Sequence, residues 1–213
     1  MSSITKTSQA QHHRRSAAPL NCSIFMTDIV GYSDPFRDDH DRAALRSTLL
    51  RILVDGFTAS GLTWRRCRHH DRGDGLLTIV PPTLSTYSLI NPLLHVLGEN
   101  ILQHNRTAPD ELHLQLRSAL LVGPVLLGDT GYPNASVIHA ARMLDSVALR
   151  RTFATSNHAF ATMVSSYVYE NVVQHTRGAV TASAFHRTSY DASGATFSSW
   201  TYVAQTSDDG SQG

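Results

Sequence analysis

The sequence predicts an α+β fold in which helices cover one or both faces of a mainly antiparallel sheet. Apolar runs of strand length alternate with segments of helical period, in the order strand, helix, hairpin, helix, strand, helix, strand, helix, hairpin. The chain has 213 residues with 41% hydrophobic content and no strong compositional bias, which is enough for one domain with a real core.

The first half of the chain predicts a strand, a long helix and a hairpin. A mostly apolar run at 22–30 has the length of a central strand. After the turn "GYSDP", apolar residues at helical spacing predict an amphipathic helix over about 38–58. Two more strands, at 62–70 and 76–81, flank "DRGDG" at 71–75 and predict a hairpin.

The second half of the chain alternates helices and strands. The predicted elements are a helix over 84–105 in which Pro92 marks a start or a kink, a strand over 112–122 with "GPVLLGD" as an alternative extension, a helix over 135–153, a strand over 160–166, a helix over 166–175 and a hairpin around 191–194.

Both ends of the chain are polar and rich in small residues. Residues 1–20 and 205–213 are therefore predicted to be disordered tails around a single domain at 21–204. The N-terminus has no apolar segment of the kind that a secretory signal needs, and no apolar run approaches the roughly 20 residues of a membrane-spanning helix.

Charge argues against two classes of partner, and the cysteines indicate the redox environment. The 18 basic and 17 acidic residues give a net charge of +1 and are scattered, so neither a nucleic-acid nor a membrane partner is expected. Cys22 and Cys67 both fall in predicted strands and form no CxxC pair. We therefore expect a reduced, cytoplasmic protein whose thiols fill space.

Two aspartates stand at positions suited to chemistry. Asp28 ends the first strand, before a glycine-containing turn and a helix N-terminus that would suit a phosphate. Asp74 lies at the hairpin tip, and if the hairpin pairs beside the first strand the two carboxylates face each other. Two acids and a polyphosphate are what two Mg²⁺ ions require. The alternative is local, because Asp-Gly is a preferred hairpin dipeptide whose residues both tolerate positive φ.

Three segments resemble the signature regions of the class III nucleotidyl cyclase catalytic domain. They are "FMTDIVGYS" (25–33), "RGDGLLTIVP" (72–81) and "VIHAARMLDS" (137–146), and the resemblance extends over about 22–204. It implies a ferredoxin-like βαββαβ core and a head-to-tail homodimer with sites at its interface. The implied reaction uses two divalent cations, Mg²⁺ or Mn²⁺, to convert a nucleoside triphosphate into a 3′,5′-cyclic nucleotide and pyrophosphate.

The resemblance also implies roles for individual residues. Asp28 and Asp74 match the family's metal-binding aspartates, and Ile29 matches a residue whose backbone carbonyl assists them. Arg142 matches the arginine that stabilises the transition state, where a guanidinium can fork onto phosphate oxygens; by itself, it fits a solvated helix arginine equally well. The implied nucleotide-binding positions are Val30, Gly31, Tyr32 and Ser33 in the phosphate turn and His70, Arg72 and Gly73 in the hairpin.

The chain departs from the family pattern at several positions. His70 replaces the lysine that selects the base, and Ile138 replaces an asparagine that orients the ribose and cannot hydrogen-bond a sugar. The second base-selecting position falls near Gly131, with Asp129 or Asn134 as alternatives. No lysine matches the one that grips the triphosphate late in the domain, where only Arg187 lies nearby.

Two functions therefore remain open. The first is a homodimeric nucleotidyl cyclase with altered base preference. The second is a catalytically silent cyclase-like module that binds a nucleotide, or only dimerises, to regulate a partner protein. A relative of palm-type polymerases or diguanylate cyclases is disfavoured because no GGDEF-like hairpin is present.

Overall fold

Seven strands among the described residues form one mixed sheet. A computed structural model describes residues 18–126, 134–154 and 158–204. The strands are β1 (Leu20–Ile29), β2 (Arg68–Asp71), β3 (Gly75–Val80), β4 (Leu116–Val125), β5 (Phe160–Ser165), β6 (Phe185–Ala192) and β7 (Ala195–Val203). Their order in the sheet is β2-β3-β1-β4-β5-β7-β6, with β4 and β5 parallel and all other neighbours antiparallel.

Helices cover both faces of this sheet. They are α1 (Asp39–Ala59), α2 (Thr86–Ile90), α3 (Leu93–Asn105), α4 (Ala135–Leu144), α5 (Val147–Ala154) and α6 (Ser166–Asn171). Helices α1, α2, α3 and α6 share one core with the sheet, and α4 and α5 share the other. The α+β class with a mainly antiparallel sheet is confirmed. None of the helices in the described ranges is both long and apolar enough to cross a membrane.

Strand β1 shows how the two-residue period divides the cores. Phe25 and Ile29 belong to the core under α1 and α3, whereas Ile24 and Met26 belong to the core under α4 and α5. Because successive side chains of a strand alternate between faces, Asp28 continues the row of Ile24 and Met26. Its carboxylate therefore lies on the α4–α5 side of the sheet.

The predicted strand at 62–70 is only partly a strand. Residues 64–66 form a 3₁₀ turn, and β2 begins at Arg68. Trp64 explains the difference, since its ring packs edge-on against Phe57 and stacks on His69, with centroids 5.1 and 3.7 Å away. Cys67 consequently follows this turn and lies outside a strand, contrary to the prediction, although it is buried, whereas Cys22 lies inside β1.

The predicted helix at 135–153 is interrupted. It divides at Asp145 and Ser146 into α4 and α5, and the Ser146 hydroxyl accepts a hydrogen bond from the Leu149 amide in the first turn of α5. This side-chain cap offers the backbone an alternative to a continuous helix. Asp145 thereby comes to lie at the junction of the two helices.

Strand β4 begins later and ends later than the predicted strand at 112–122. It runs through Pro124 and pairs with β1 along its whole length. Pro124 is tolerated because β5 pairs with β4 only over Leu116–Leu120, so no strand on that side needs an amide at position 124. At the ends of the chain, Leu20 already belongs to β1, and residues 1–17 and 205–213 of the predicted tails lie outside the described residues.

Candidate functional site

Asp28 and Asp74 lie side by side where β1 meets the hairpin. Asp28 pairs with Gly75 in the register of β1 and β3, and the Ile29 amide donates to the Asp74 carbonyl at 2.9 Å. Asp28 is buried, with 5% of its surface exposed, and its carboxyl group lies within hydrogen-bonding reach of that of the half-buried Asp74. The structure thus brings together the two acids that are 46 residues apart in the sequence.

Gly75 explains why this approach is possible. A Cβ at this position would lie 1.9 Å from the Thr27 carbonyl oxygen, so only glycine lets β3 come this close to β1. The residue with positive φ in the turn is Gly73, at +88°, rather than Asp74 or Gly75. The turn geometry alone therefore does not account for the Asp74-Gly75 dipeptide.

The environment of Asp28 favours the neutral acid over the carboxylate. Burial is the largest influence and raises the pKa of Asp28 to about 6, while the Arg117 guanidinium acts in the opposite direction. The hydrogen bond that the neutral Asp28 carboxyl donates to Asp74, and the negative charge of Asp74, raise this pKa further. A cation bound beside Asp28 would offset both the burial of this carboxylate and its repulsion by Asp74.

This pKa gives a pH dependence of stability. Because the pKa of Asp28 is higher in the folded than in the unfolded chain, its contribution is fully present below about pH 4 and is lost as the pH rises through about 6. Asp28→Asn removes this titration, so its unfolding free energy relative to wild type should rise by roughly 2 to 3 kcal/mol from pH 4 to pH 7. Urea unfolding of both proteins across this range measures the difference, and a constant difference would contradict the prediction.

Arg117 is a site residue that the sequence analysis missed. It faces Asp28 across β1 and β4, and its Nε and Nη2 both donate to Asp28 Oδ2, with the Nε contact at 2.5 Å. Its Nη2 also lies 3.6 Å from Asp145 Oδ1. The signal was present in the sequence, because an arginine inside a strand that becomes uniformly apolar needs a buried acid as partner.

The turn after β1 has a fixed backbone. The Val30 amide donates to the Gln115 carbonyl at 2.9 Å, and Gly31 has φ +68°. Arg37 fastens the turn by donating to the carbonyls of Gly31 and His113, at 2.9 and 3.1 Å. The predicted phosphate turn, Val30 to Ser33, therefore lies next to Asp28 and is held in one shape.

The N-terminus of α1 differs from the phosphate-binding end that the sequence suggested. Helix α1 begins after Asp38, whose side chain accepts from the Asp41 amide at 2.8 Å, while the Asp41 side chain accepts from the Asp38 amide at 3.0 Å. This capping box, with Asp39 beside it, places carboxylates where a phosphate would have to bind. Any phosphate would meet the turn before the helix instead.

The tip of the hairpin is anchored to α1. Arg46 lies 2.5 Å from Asp71 Oδ2 and also donates to the Gly73 carbonyl, and Asp71 accepts from the Gly73 amide at 2.7 Å. These contacts hold the turn that carries Asp74. His70 and Arg72, predicted to contact the nucleotide, lie on the same hairpin with exposed side chains.

The structure does not bring Arg142 to the two acids of its own chain. It is exposed on α4 and donates to the Ser193 hydroxyl in the β6–β7 turn. Ile138, one turn earlier on the same helix, is 48% exposed. Beside α4 lies a cavity of about 300 Å³, lined by Arg142, Asp145, Ser146, Val147, Ala148, Ser189, Tyr190 and Asp191.

The remaining positions of interest are scattered. His139 contacts the Tyr190 hydroxyl and packs against Phe197, so it cannot replace the missing asparagine. Asn134 precedes α4 and accepts from the Leu126 amide at 3.1 Å. Arg187 is exposed on β6, near the far edge of the sheet. Gly131 and Asp129 lie outside the described residues.

The donor set fits Mg²⁺ or Mn²⁺ with a bound polyphosphate. Within the described ranges, no group of three or more His, Cys, Asp or Glu side chains is placed to hold a metal ion. Asp28, Asp74 and the Ile29 carbonyl are thus the ligands that the predicted site offers. Mg²⁺ commonly uses one or two carboxylates and completes its shell with water and phosphate oxygens, which agrees with so small a set.

Comparisons with known proteins identify the fold. No protein-family model and no curated protein sequence matches the chain. Solved structures do match, among them an adenylate/guanylate cyclase/hydrolase from Silicibacter pomeroyi, with 20% identity, coverage of 88% of this chain and 98% of that one, and a TM-score of 0.63.

Two further matches are cyclase structures with bound nucleotides. The guanylate cyclase domain of RhGC from Catenaria anguillulae, in complex with GTP, is 16% identical over 87% of this chain and 98% of that one, with a TM-score of 0.55. The catalytic core of a rhodopsin-guanylyl cyclase with converted specificity, in complex with ATPαS, is 16% identical over 88% and 97%, with a TM-score of 0.58. The chain therefore has the fold of nucleotidyl cyclase catalytic domains, as the sequence resemblance predicted.

Proposed function

We propose that this chain is a divergent class III-type nucleotidyl cyclase. It binds a nucleoside triphosphate with two divalent cations at Asp28 and Asp74 and forms a 3′,5′-cyclic nucleotide and pyrophosphate. The observation that carries the proposal is that these two acids lie together beside the turn at 30–33, whose backbone is hydrogen-bonded by Arg37. The fold is shared with cyclase structures that hold GTP and ATPαS.

The chemistry joins the ribose to the α-phosphate of the same nucleotide. The 3′-hydroxyl oxygen forms a bond to the α-phosphorus, the bond from that phosphorus to the pyrophosphate oxygen breaks, and the 3′-hydroxyl proton is released. Divalent cations bound at the two acids would help to activate the attacking oxygen and neutralise the leaving phosphates. The carboxylates of Asp28 and Asp74 would supply the negative charge that holds these cations.

Other residues of the chain position the substrate. The backbone of the turn at 30–33 receives the phosphates, and the contacts from Arg37 keep that turn in one conformation before the ligand arrives. His70 and Arg72 extend from the hairpin into solvent, where they can reach the base and the phosphates. A site held rigid in advance loses less entropy when the substrate is oriented.

The proposed active form is a homodimer. Arg142 is exposed and donates to the Ser193 hydroxyl rather than to Asp28 or Asp74 of its own chain. Such a residue can stabilise the transition state only at the site of a second copy, by donating its guanidinium to phosphate oxygens across the interface. The exposed Ile138 side chain one turn away would lie at the same interface.

A silent regulatory module is the second candidate function. Ile138 favours it, because an apolar side chain stands where the family orients the ribose through a hydrogen bond. Losing one such contact typically lowers a rate by about 10²- to 10³-fold. Such a module would bind a nucleotide and act on a partner protein, and a cytoplasmic location remains a prediction for either function.

Incubation with nucleotides tests the proposal. Purified protein is incubated with ATP, GTP, CTP and UTP in turn with Mn²⁺, and mass spectrometry identifies cyclic products and any nucleotide that remains bound. We expect one or more 3′,5′-cyclic nucleotides with an equal amount of pyrophosphate. Manganese-dependent binding without a product would support the silent module, and the absence of both would contradict the proposal and leave an interaction role.

A further inference from the structure

Arg117 lies between a buried and an exposed carboxylate. Its side chain is 17% exposed and donates to Asp28, whose side chain is 7% exposed. On the other side, Arg117 Nη2 is 3.6 Å from Asp145 Oδ1, and the Asp145 side chain is 51% exposed at the α4–α5 junction. Arg150 also contacts Asp145, at 3.3 Å.

We propose that the Arg117 guanidinium occupies the cation site while no divalent ion is bound. In that state it pairs with Asp28, and when a divalent ion binds it shifts to pair with Asp145 instead. This inference rests on the proposed cation site at Asp28 and Asp74 and concerns how that site is regulated. Asp145 would be the residue that receives the displaced guanidinium.

The contacts of Asp28 give the first reason. Both donors of Arg117 fall on the same oxygen, Oδ2, and a carboxylate oxygen offers about two acceptor positions. Arg117 therefore occupies one of the two Asp28 oxygens completely. A divalent ion that used Oδ2 would therefore have to displace the guanidinium from it.

Charge gives the second reason. A divalent ion on Asp28 would lie within a few ångströms of the Arg117 guanidinium in a partly desolvated place, where like charges repel strongly. Removing a partly buried arginine from its partner is costly if no other acid is near. Asp145 is already within 3.6 Å, so a small movement exchanges one carboxylate for another and keeps Arg117 paired.

The exchange predicts opposite effects for the two partners of Arg117. Removing the guanidinium removes the competitor of the divalent ion, so Arg117→Gln should bind Mn²⁺ more tightly. Removing the charge of Asp145 takes away the receiving site, so Asp145→Asn should bind Mn²⁺ more weakly. A residue that only positions Asp28 would instead weaken binding when it is replaced, which separates the two roles.

Direct Mn²⁺ binding, measured by electron paramagnetic resonance without nucleotide at pH 8, provides the test. We expect dissociation constants about 5- to 10-fold lower for Arg117→Gln and about 3- to 10-fold higher for Asp145→Asn. Asp145→Asn should have no further effect when it is added to Arg117→Gln, because Asp145 acts through Arg117. Asp191→Asn, an exposed acid that lines the same cavity, is the matched control and should leave the affinity unchanged.

Other results would overturn the inference. Weaker binding by Arg117→Gln, or unchanged binding by Asp145→Asn, would each contradict the exchange. Asp145 is exposed, so its variant decides the matter even if Arg117→Gln fails to fold. If Asp74→Asn abolishes Mn²⁺ binding but Arg117→Gln and Asp145→Asn leave the affinity unchanged, this inference alone is refuted. Wild-type protein without Asp74-dependent Mn²⁺ binding would refute the proposed function as well.

Discussion

Asp74→Asn is expected to lower cyclic-nucleotide formation by at least about 100-fold while the protein remains folded. Asparagine keeps the size of the side chain at the hairpin tip but removes one of the two negative charges that hold divalent cations. The same change relieves the repulsion that the Asp74 charge exerts on Asp28, so the free energy of unfolding without metal should not fall. Rates of product formation in Mn²⁺ and urea unfolding of the same preparations measure both effects.

Asp55→Asn is a matched control for this prediction. Asp55 is an exposed aspartate on α1, and its replacement changes the net charge by the same amount. We expect its activity and its unfolding free energy to match those of wild type. Equal activity of Asp74→Asn and wild type would show that the reaction, if present, does not depend on the paired acids.

Gly75→Ala is expected to cost about 3 kcal/mol of stability, at the upper end for overpacked sites. The added Cβ would lie 1.9 Å from the Thr27 carbonyl oxygen and 2.9 Å from the Asp28 Cα, and both atoms belong to the backbone of a central strand. No side-chain rotation can relieve such a clash, so β1 and β3 must move apart. The free energy of unfolding in urea is the measurement.

Gly73→Ala, in the same hairpin, separates this clash from the loss of backbone freedom. No heavy atom lies within 4 Å of a Cβ at Gly73, but its φ of +88° is unfavourable for alanine and should cost about 1 to 2 kcal/mol. Gly75→Ala should therefore be clearly the less stable variant, and it should also lose Mn²⁺ affinity because Asp74 shifts relative to Asp28. Equal stability of the two variants would contradict the steric argument.

Local patterns were sufficient for most of the fold. The long helix was predicted at 38–58 and is found at Asp39–Ala59, because its apolar residues recur at helical spacing. The interruption at Pro92 separates α2 from α3, as a proline without an amide hydrogen requires. These features depend on neighbours in the sequence, so a single sequence reveals them.

Contacts between distant residues account for the differences. The first part of the predicted strand at 62–70 is a 3₁₀ turn because the Trp64 ring packs on Phe57 of α1. Periodicity in the sequence cannot predict such a contact. Arg117 was passed over in the sequence because its partner Asp28 lies 89 residues away. The capping box on α1 is a local feature, since Asp38 and Asp41 have the spacing for it, but the sequence analysis did not predict it.

The sequence by itself determined the α+β class, the order of most elements and the two aspartates as candidates, because periodicity and turn chemistry are local properties of the chain. Only the tertiary structure decided that the carboxyl groups of Asp28 and Asp74 lie next to each other and that Gly75 lets β3 come close enough to β1 for this. It also decided that Arg117 contacts both Asp28 and Asp145. The physical reason is that burial and charge pairing depend on strand register, which places residues far apart in the sequence opposite each other.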